Sequence, residues 1–187
     1  MIHLLLQTKK FIPNEYHKSF FDIDFNKLYK QGYRLILTDL DNTLISYAED
    51  LANDVIKNKF IELKQIGFEI KLVSNNVPAR INKFVKDLDV LGFANARKPL
   101  SFGLNKAWKS SETKITKDKT IIIGDQLMTD IYGANRFKAY SILVDPIKKK
   151  TEKWYTKINR SIERKMLVKI SKKKPIIYKQ LGLEKRG

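Results

Sequence analysis

The sequence predicts an α/β fold, a parallel sheet flanked by helices, and three observations predict it. Short apolar runs recur along the chain, at 35–37, 68–73, 92–96, 120–123 and 141–144. Between them lie segments whose apolar residues are three or four apart, the spacing of a helix with one buried stripe. Most of the runs also end in polar residues, as where ligands bind beyond the carboxyl ends of parallel strands. With 187 residues, the chain can build one domain with a real core.

The elements follow in order. Leu35-Ile36-Leu37 leads directly into Asp39-Leu40-Asp41-Asn42-Thr43. A helix is expected over about 51–65, with Val55, Phe60, Ile61 and Leu63 on its buried stripe and Gly67 ending it. The second strand, 68–73, ends in Ser74-Asn75-Asn76. A helix from Pro78 to about Leu88 carries Ile81, Phe84, Val85 and Leu88. The weaker run at 92–96 leads to Arg97-Lys98-Pro99, and a helix near 101–110 would bury Phe102, Leu104 and Trp108. The run at 120–123 ends in Gly124-Asp125-Gln126, and a further helix after Asp130 includes Ile131 and Phe137. A last strand, 141–144, is closed off by Asp145-Pro146.

Asp39 and Asp41 are one residue apart, so in extended chain both carboxylates point to the same side. Two carboxylates that close repel unless a cation lies between them or one holds a proton. The pair therefore asks for a divalent cation, for acid–base work, or for both. A hydroxyl at Ser74, a lysine at Lys98 and a second acid pair at Asp125 and Asp130 follow in turn. A phosphate monoester needs a nucleophile, an acid for its leaving oxygen, donors for its phosphoryl oxygens and a divalent cation. Taken singly, each feature is ordinary: Ser74-Asn75-Asn76 could cap a helix, Lys98 could be a solvated surface charge, and Gly124-Asp125 could be a turn. The order is what carries the chemistry.

In that order the residues resemble the four motifs of the haloacid dehalogenase-like (HAD) phosphatase superfamily. The resemblance implies a single Rossmann-like domain in which Asp39 is the nucleophile and forms an aspartyl-phosphate. It implies that Asp41 protonates the leaving oxygen and then activates water. Ser74 would bind a phosphoryl oxygen with Asn75 close by, Thr43 would help hold the nucleophile loop and the phosphate site, and Lys98 would neutralise the transferring group. The implied cofactor is Mg²⁺, held by Asp39, the backbone carbonyl of Asp41, and Asp125, with Asp130 in or just behind its shell. The short connections from Asp39 to Ser74 and from Ser74 to Lys98 leave room for only a minimal cap.

The leader Phe11-Ile12-Pro13-Asn14-Glu15-Tyr16, with Lys18-Ser19 and Phe21-Asp22-Ile23, is similar to that of the YqeG-type phosphatases of HAD subfamily IIIA. So are 124–130 and Gly133-Ala134-Asn135-Arg136. That subfamily is related to the mitochondrial and plastid phosphatidylglycerophosphate phosphatases. The implied substrate is phosphatidylglycerophosphate, a phosphomonoester carried on a lipid. A soluble or nucleic-acid phosphomonoester is the alternative substrate. A basic protein that keeps the fold but binds RNA or ribosomes is the alternative outside enzymes.

Charge divides the chain into a domain at 1–147 and a basic extension at 148–187. The extension holds 15 Lys or Arg and 3 Glu, a net of +12 out of +17 for the chain. Within it Trp154, Ile158, Ile162, Met166 and Ile170 recur every four residues, which reads as a basic amphipathic helix. Its partners could be an anionic membrane surface, the domain itself or, less readily, nucleic acid. The oligomeric state is not legible. His3 and His17 lie outside the site motifs. The absence of cysteine excludes disulfides, thiolate metal sites and cysteine nucleophiles. Met1 to Leu6 is too short an apolar run for a signal peptide, and no stretch approaches a membrane span. The expected location is cytoplasmic, at most peripheral to the inner face of the membrane.

Overall fold

The computed structural model describes residues 7–112, 114–148 and 154–186, apart from the side chains of 154, 155 and 157. Six strands form one sheet, β1 (Glu15–His17), β2 (Leu35–Thr38), β3 (Glu69–Val73), β4 (Leu91–Phe93), β5 (Thr120–Gly124) and β6 (Tyr140–Val144). Every pairing is parallel and the order is β1-β6-β5-β2-β3-β4. Five strands were expected. The sixth, β1, comes from the leader and pairs with β6 at the sheet edge. It is too short for alternation to reveal it. Asn135 holds the leader in place, donating to the carbonyls of Lys10 and Ile12 at 2.9 Å each, and Phe11 stacks on Tyr132 at 4.6 Å.

The helices are α1 (Phe25–Lys30), α2 (Asp54–Ile66), α3 (Pro78–Val85), α4 (Phe102–Lys109), α5 (Tyr132–Phe137), α6 (Trp154–Lys173) and α7 (Pro175–Gln180). Strand alternation sends Ile36, Ile70, Leu72, Ile121 and Ile123 into one core with α2 and α3. Leu35, Leu37 and Ile122 point to the other face, against α4 and α5. Both faces are covered, which is why the central strands read as continuous apolar runs. Some expected core residues are exposed instead: Val55 and Ile61 on α2, and Phe102 at the start of α4. The buried stripe of α2 is Ile56, Phe60 and Leu63, so the expected stripe mixed two faces of one helix.

A third core joins the C-terminal region to the sheet. Met166 and Ile170 on α6 and Leu183 beyond α7 are buried with Phe11, Leu127, Ile131 and Leu143. The expected stripe at every fourth residue does not stay on one face, since four residues overshoot a turn by about 40°. Ile158 is accordingly exposed while Met166 and Ile170 are buried; the side chain of Trp154 lies outside the described residues. The face that meets the domain is Thr156, Arg160, Glu163, Met166 and Ile170. Its apolar half packs on the core, and its polar half meets the end of β5, where Arg160 pairs with Asp125. No helix among the described residues is long and apolar enough to cross a membrane.

Candidate active site

The strand order reverses beside β2, which has β5 on one side and β3 on the other. Such a switch point opens a crevice at the carboxyl ends of the strands. Asp39 directly follows β2 and stays in register with β5, its amide donating to the Ile123 carbonyl at 2.9 Å. Ser74 and Asn75 follow β3, Lys98 follows β4, and Asp125 follows β5. Residues far apart in sequence therefore meet because the sheet is parallel.

Lys98 is the hub. Its Nζ donates to Asp39 Oδ1 at 2.8 Å and to Asp130 Oδ1 at 2.7 Å, all three residues being buried. Asn75 holds the Lys98 backbone, accepting from its amide at 2.7 Å and donating to its carbonyl at 3.0 Å. Its side chain thus sets the position of Lys98, more than it offers a donor to phosphate. Asp130 rises on one turn of π-helix, Leu127–Ile131, and its Oδ2 accepts from the Gln126 amide at 3.1 Å. Gly124 permits this approach, because a Cβ there would sit 2.2 Å from the Asp130 carboxyl carbon.

Asp41 is held by residues that sequence reasoning missed. Asn76 Nδ2 donates to its Oδ2 at 2.8 Å, and Arg80 donates to its Oδ1 through Nη2 at 2.9 Å and Nε at 3.2 Å. A signal for Arg80 existed: it lies in the first turn of α3, where a cation opposes the helix dipole unless a carboxylate receives it. Ser74 is buried, and its Oγ accepts from the Asn76 amide at 3.2 Å. Thr43 departs from its expected place. It is buried, its Oγ1 meets no hydrogen-bond partner, and it is not among the residues that line the cavity.

That cavity is lined by Asp39, Asp41, Ser74, Asn75, Asn76 and Lys98, together with Tyr47, Gln126, Thr129 and Asn159. Its volume is about 60 Å³, room for roughly four or five waters. A group of phosphoryl size fits inside.

A family model described as mitochondrial PGP phosphatase matches residues 1–148. The chain belongs to this family. A protein of Bacillus subtilis (strain 168) named "Probable phosphatase YqeG" is 35% identical over 172 residues, 92% of this chain and 98% of that one. Among solved structures, an uncharacterized protein from Listeria monocytogenes serotype 4b shares the fold, with a TM-score of 0.50 and 16% identity over 64% of this chain and 85% of its own. A Bacillus subtilis protein described as "the putative HAD-hydrolase YfnB", solved bound to magnesium, aligns with a TM-score of 0.44 and 16% identity, over 59% of this chain and 86% of its own. This member of the PGP phosphatase family is a phosphatase.

The site of this phosphatase suits a cation. Asp39, Asp125 and Asp130 each offer a carboxylate oxygen, all within 4.8 Å of one another and all buried. Asp125 Oδ1 is fully buried without a hydrogen-bond partner, an arrangement that costs free energy unless something positive satisfies it. Its other oxygen pairs with Arg160 from α6. Burial pushes the Asp39 carboxyl well above the usual range, Lys98 opposes this, and the charges of Asp130 and Asp41 add to it. Burial likewise pushes Asp125 up, opposed by Arg160 and reinforced by Asp130 and Asp39. Burial opposes the charge on Lys98, but Asp130 and Asp39 outweigh it and its pKa is raised.

These shifts fix a sign. A carboxyl whose folded pKa is raised holds its proton while the unfolded one ionises, so stability falls as pH rises from about 4 through the raised value. The cation-free phosphatase should therefore lose melting temperature between about pH 5 and 8. A divalent cation held there, at a hundredfold its Kd at pH 8, would add about 2.7 kcal/mol, or roughly 5–10 °C. The gain should be larger at pH 8 than at pH 5, and thermal melts in chelator and in Mg²⁺ measure it. An equal gain at both values would separate the carboxylates from the cation.

Proposed function

We propose that the protein is a Mg²⁺-dependent phosphomonoester hydrolase that works through an aspartyl-phosphate, with phosphatidylglycerophosphate as its substrate. One observation carries the reading: Asp39 lies beside Lys98 and Asp41 in a cavity of phosphoryl size. Lys98 holds Oδ1 of Asp39, which leaves Oδ2 to attack phosphorus. As the bond to the leaving oxygen breaks, Asp41 gives that oxygen a proton, with Asn76 and Arg80 fixing its aim. Water then attacks phosphorus, Asp41 takes its proton, and orthophosphate departs as the Asp39 carboxylate is restored. Ser74 and Lys98 hold phosphoryl oxygens throughout. Asp39, Asp125 and Asp130 would hold Mg²⁺, which supplies charge to offset that of the phosphoryl group.

The lipid substrate draws support from the family and from the mouth of the site. The connection β2–β3 is a tight turn and α2, and β3–β4 is α3, so both are short. Leu51, Val77, Leu100, Phe102 and Ile147 are exposed large apolar residues on connections that leave the carboxyl edge of the sheet, the edge where the cavity opens. Arg97 lies over the Phe102 ring, 5.6 Å from its centre. An apolar rim with cations beside it suits the surface of an anionic bilayer, as do the exposed Arg164, Lys165, Lys172, Lys173 and Lys174 of the C-terminal region. On this reading the enzyme works at the inner face of the membrane.

Phosphate release from phosphatidylglycerophosphate in mixed micelles, with and without Mg²⁺, tests the assignment. Cation-dependent release from the lipid well above that from a soluble phosphomonoester supports it. Release from the soluble ester alone keeps the phosphatase and rejects the lipid. A double variant, Leu100→Asp with Phe102→Asp, should weaken binding to phosphatidylglycerol vesicles by on the order of tenfold or more. Sedimentation with vesicles measures this, and unchanged binding would remove the rim from membrane contact.

A further inference from the structure

The polar half of α6 lies against the active site, and one of its residues faces into the cavity. Asn159 lines the cavity beside Gln126, and its Nδ2 donates to Gln126 Oε1 at 3.2 Å. That bond uses one half of each amide. The other halves, Gln126 Nε2 and Asn159 Oδ1, meet no hydrogen-bond partner among the described residues. Turning both amides over exchanges the roles and still presents one donor and one acceptor. Tyr47 lines the cavity with them, its hydroxyl 3.4 Å from Thr156 Oγ1 of α6. These three side chains are uncharged, whereas Asp39, Asp41 and Lys98 in the same lining are the charged ones.

A donor and an acceptor held side by side match a group that both donates and accepts, and a hydroxyl is the simplest such group. The phosphoryl group belongs with Lys98 and Ser74, and the leaving oxygen belongs with Asp41, so the amide pair is left to meet what the leaving oxygen carries. We propose that Gln126 and Asn159 form a subsite that reads a hydroxyl on the leaving group, near the ester oxygen, as on a glycerol phosphate. This rests on the phosphatase reading and narrows its substrate class to phosphomonoesters of polyols. An apolar leaving group would strip water from both amide halves and return nothing, so the site rejects it. The C-terminal region thereby supplies specificity to a site whose catalytic groups all come from the sheet.

The test compares glycerol 1-phosphate with propyl phosphate, which lacks the hydroxyls, in the full-length protein with Mg²⁺. The wild type should favour glycerol phosphate in kcat/KM by on the order of tenfold or more. Asn159→Leu, half-buried and of similar size, should bring that ratio to within about threefold. Gln126→Leu should do the same, since its backbone amide still serves Asp130. The same comparison is made in micelles with phosphatidylglycerophosphate and an analogue lacking the hydroxyl of its terminal glycerol. A wild type that does not discriminate, or variants that keep the preference, would overturn the subsite even if the lipid is turned over. Discrimination between the soluble esters without lipid turnover would uphold the subsite and reject the lipid. No turnover of any ester would overturn both.

Discussion

Asp39→Asn should reduce phosphate release by about 10⁴-fold or more, because the amide is no nucleophile and nothing nearby replaces it. Asp41 is the closest carboxylate in sequence, but Asn76 and Arg80 hold it in its acid–base position. The same change should leave the fold intact. Asp39, Asp125 and Asp130 are three buried acids with one lysine among them, so removing one relieves repulsion. Lys98 keeps its bond to Asp130 at 2.7 Å. The melting temperature in chelator should be unchanged or higher than that of the wild type, and Mg²⁺ should raise it less. Kinetics beside thermal melts measure both effects. A large loss of stability would mean that Asp39 is structural, and near-normal turnover would remove it as the nucleophile.

Lys98→Met should be severe in both respects. The side chain is buried, and it is the cation that joins Asp39 to Asp130. Removing one partner of a buried ion pair costs about 3–5 kcal/mol, since the charges left behind remain out of water. The melting temperature in chelator should then fall by roughly 6–20 °C. A divalent cation should recover much of that loss, because it meets the same carboxylates. It should not recover the rate, which falls by about 10²–10³ when a donor to developing phosphoryl charge is lost. Stability restored with activity still lost is the signature that separates charge balance from catalysis. Recovery of both by Mg²⁺ would make Lys98 a structural counter-ion only.

Much of this was legible in the sequence, and the reason is physical. The central strands are covered on both faces, so they are written as unbroken apolar runs that stand out. Their ends are marked because parallel strands deliver their polar residues to one edge, which is why Asp39, Ser74, Lys98 and Asp125 could be picked out together. The residues that orient them were harder to see. Arg80 carried a weak signal in its helix position. Arg160 and Asn159 carried none, because nothing local says that a helix beginning near 154 returns to the end of β5. The lysines around them drew attention to the solvent face of α6. Its buried polar face, with Arg160 on Asp125 and Glu163 Oε2 accepting from the Leu127 amide at 3.0 Å, depends on tertiary contact alone. β1 was missed for a similar reason. A three-residue edge strand is defined by its partner β6, more than by its own pattern.

The central claim is that a phosphoryl group passes through Asp39. Incubating the wild type with phosphatidylglycerophosphate and Mg²⁺, quenching in acid and mapping peptides by mass spectrometry tests it most directly. The account predicts one added phosphoryl group on the peptide that carries Asp39, at the Asp39 carboxylate, absent from Asp39→Asn. With an aryl phosphate, whose leaving oxygen needs no proton, it also predicts accumulation of that adduct in Asp41→Asn, where water is no longer activated. Turnover with no adduct in either protein, or an adduct on another residue, would contradict it.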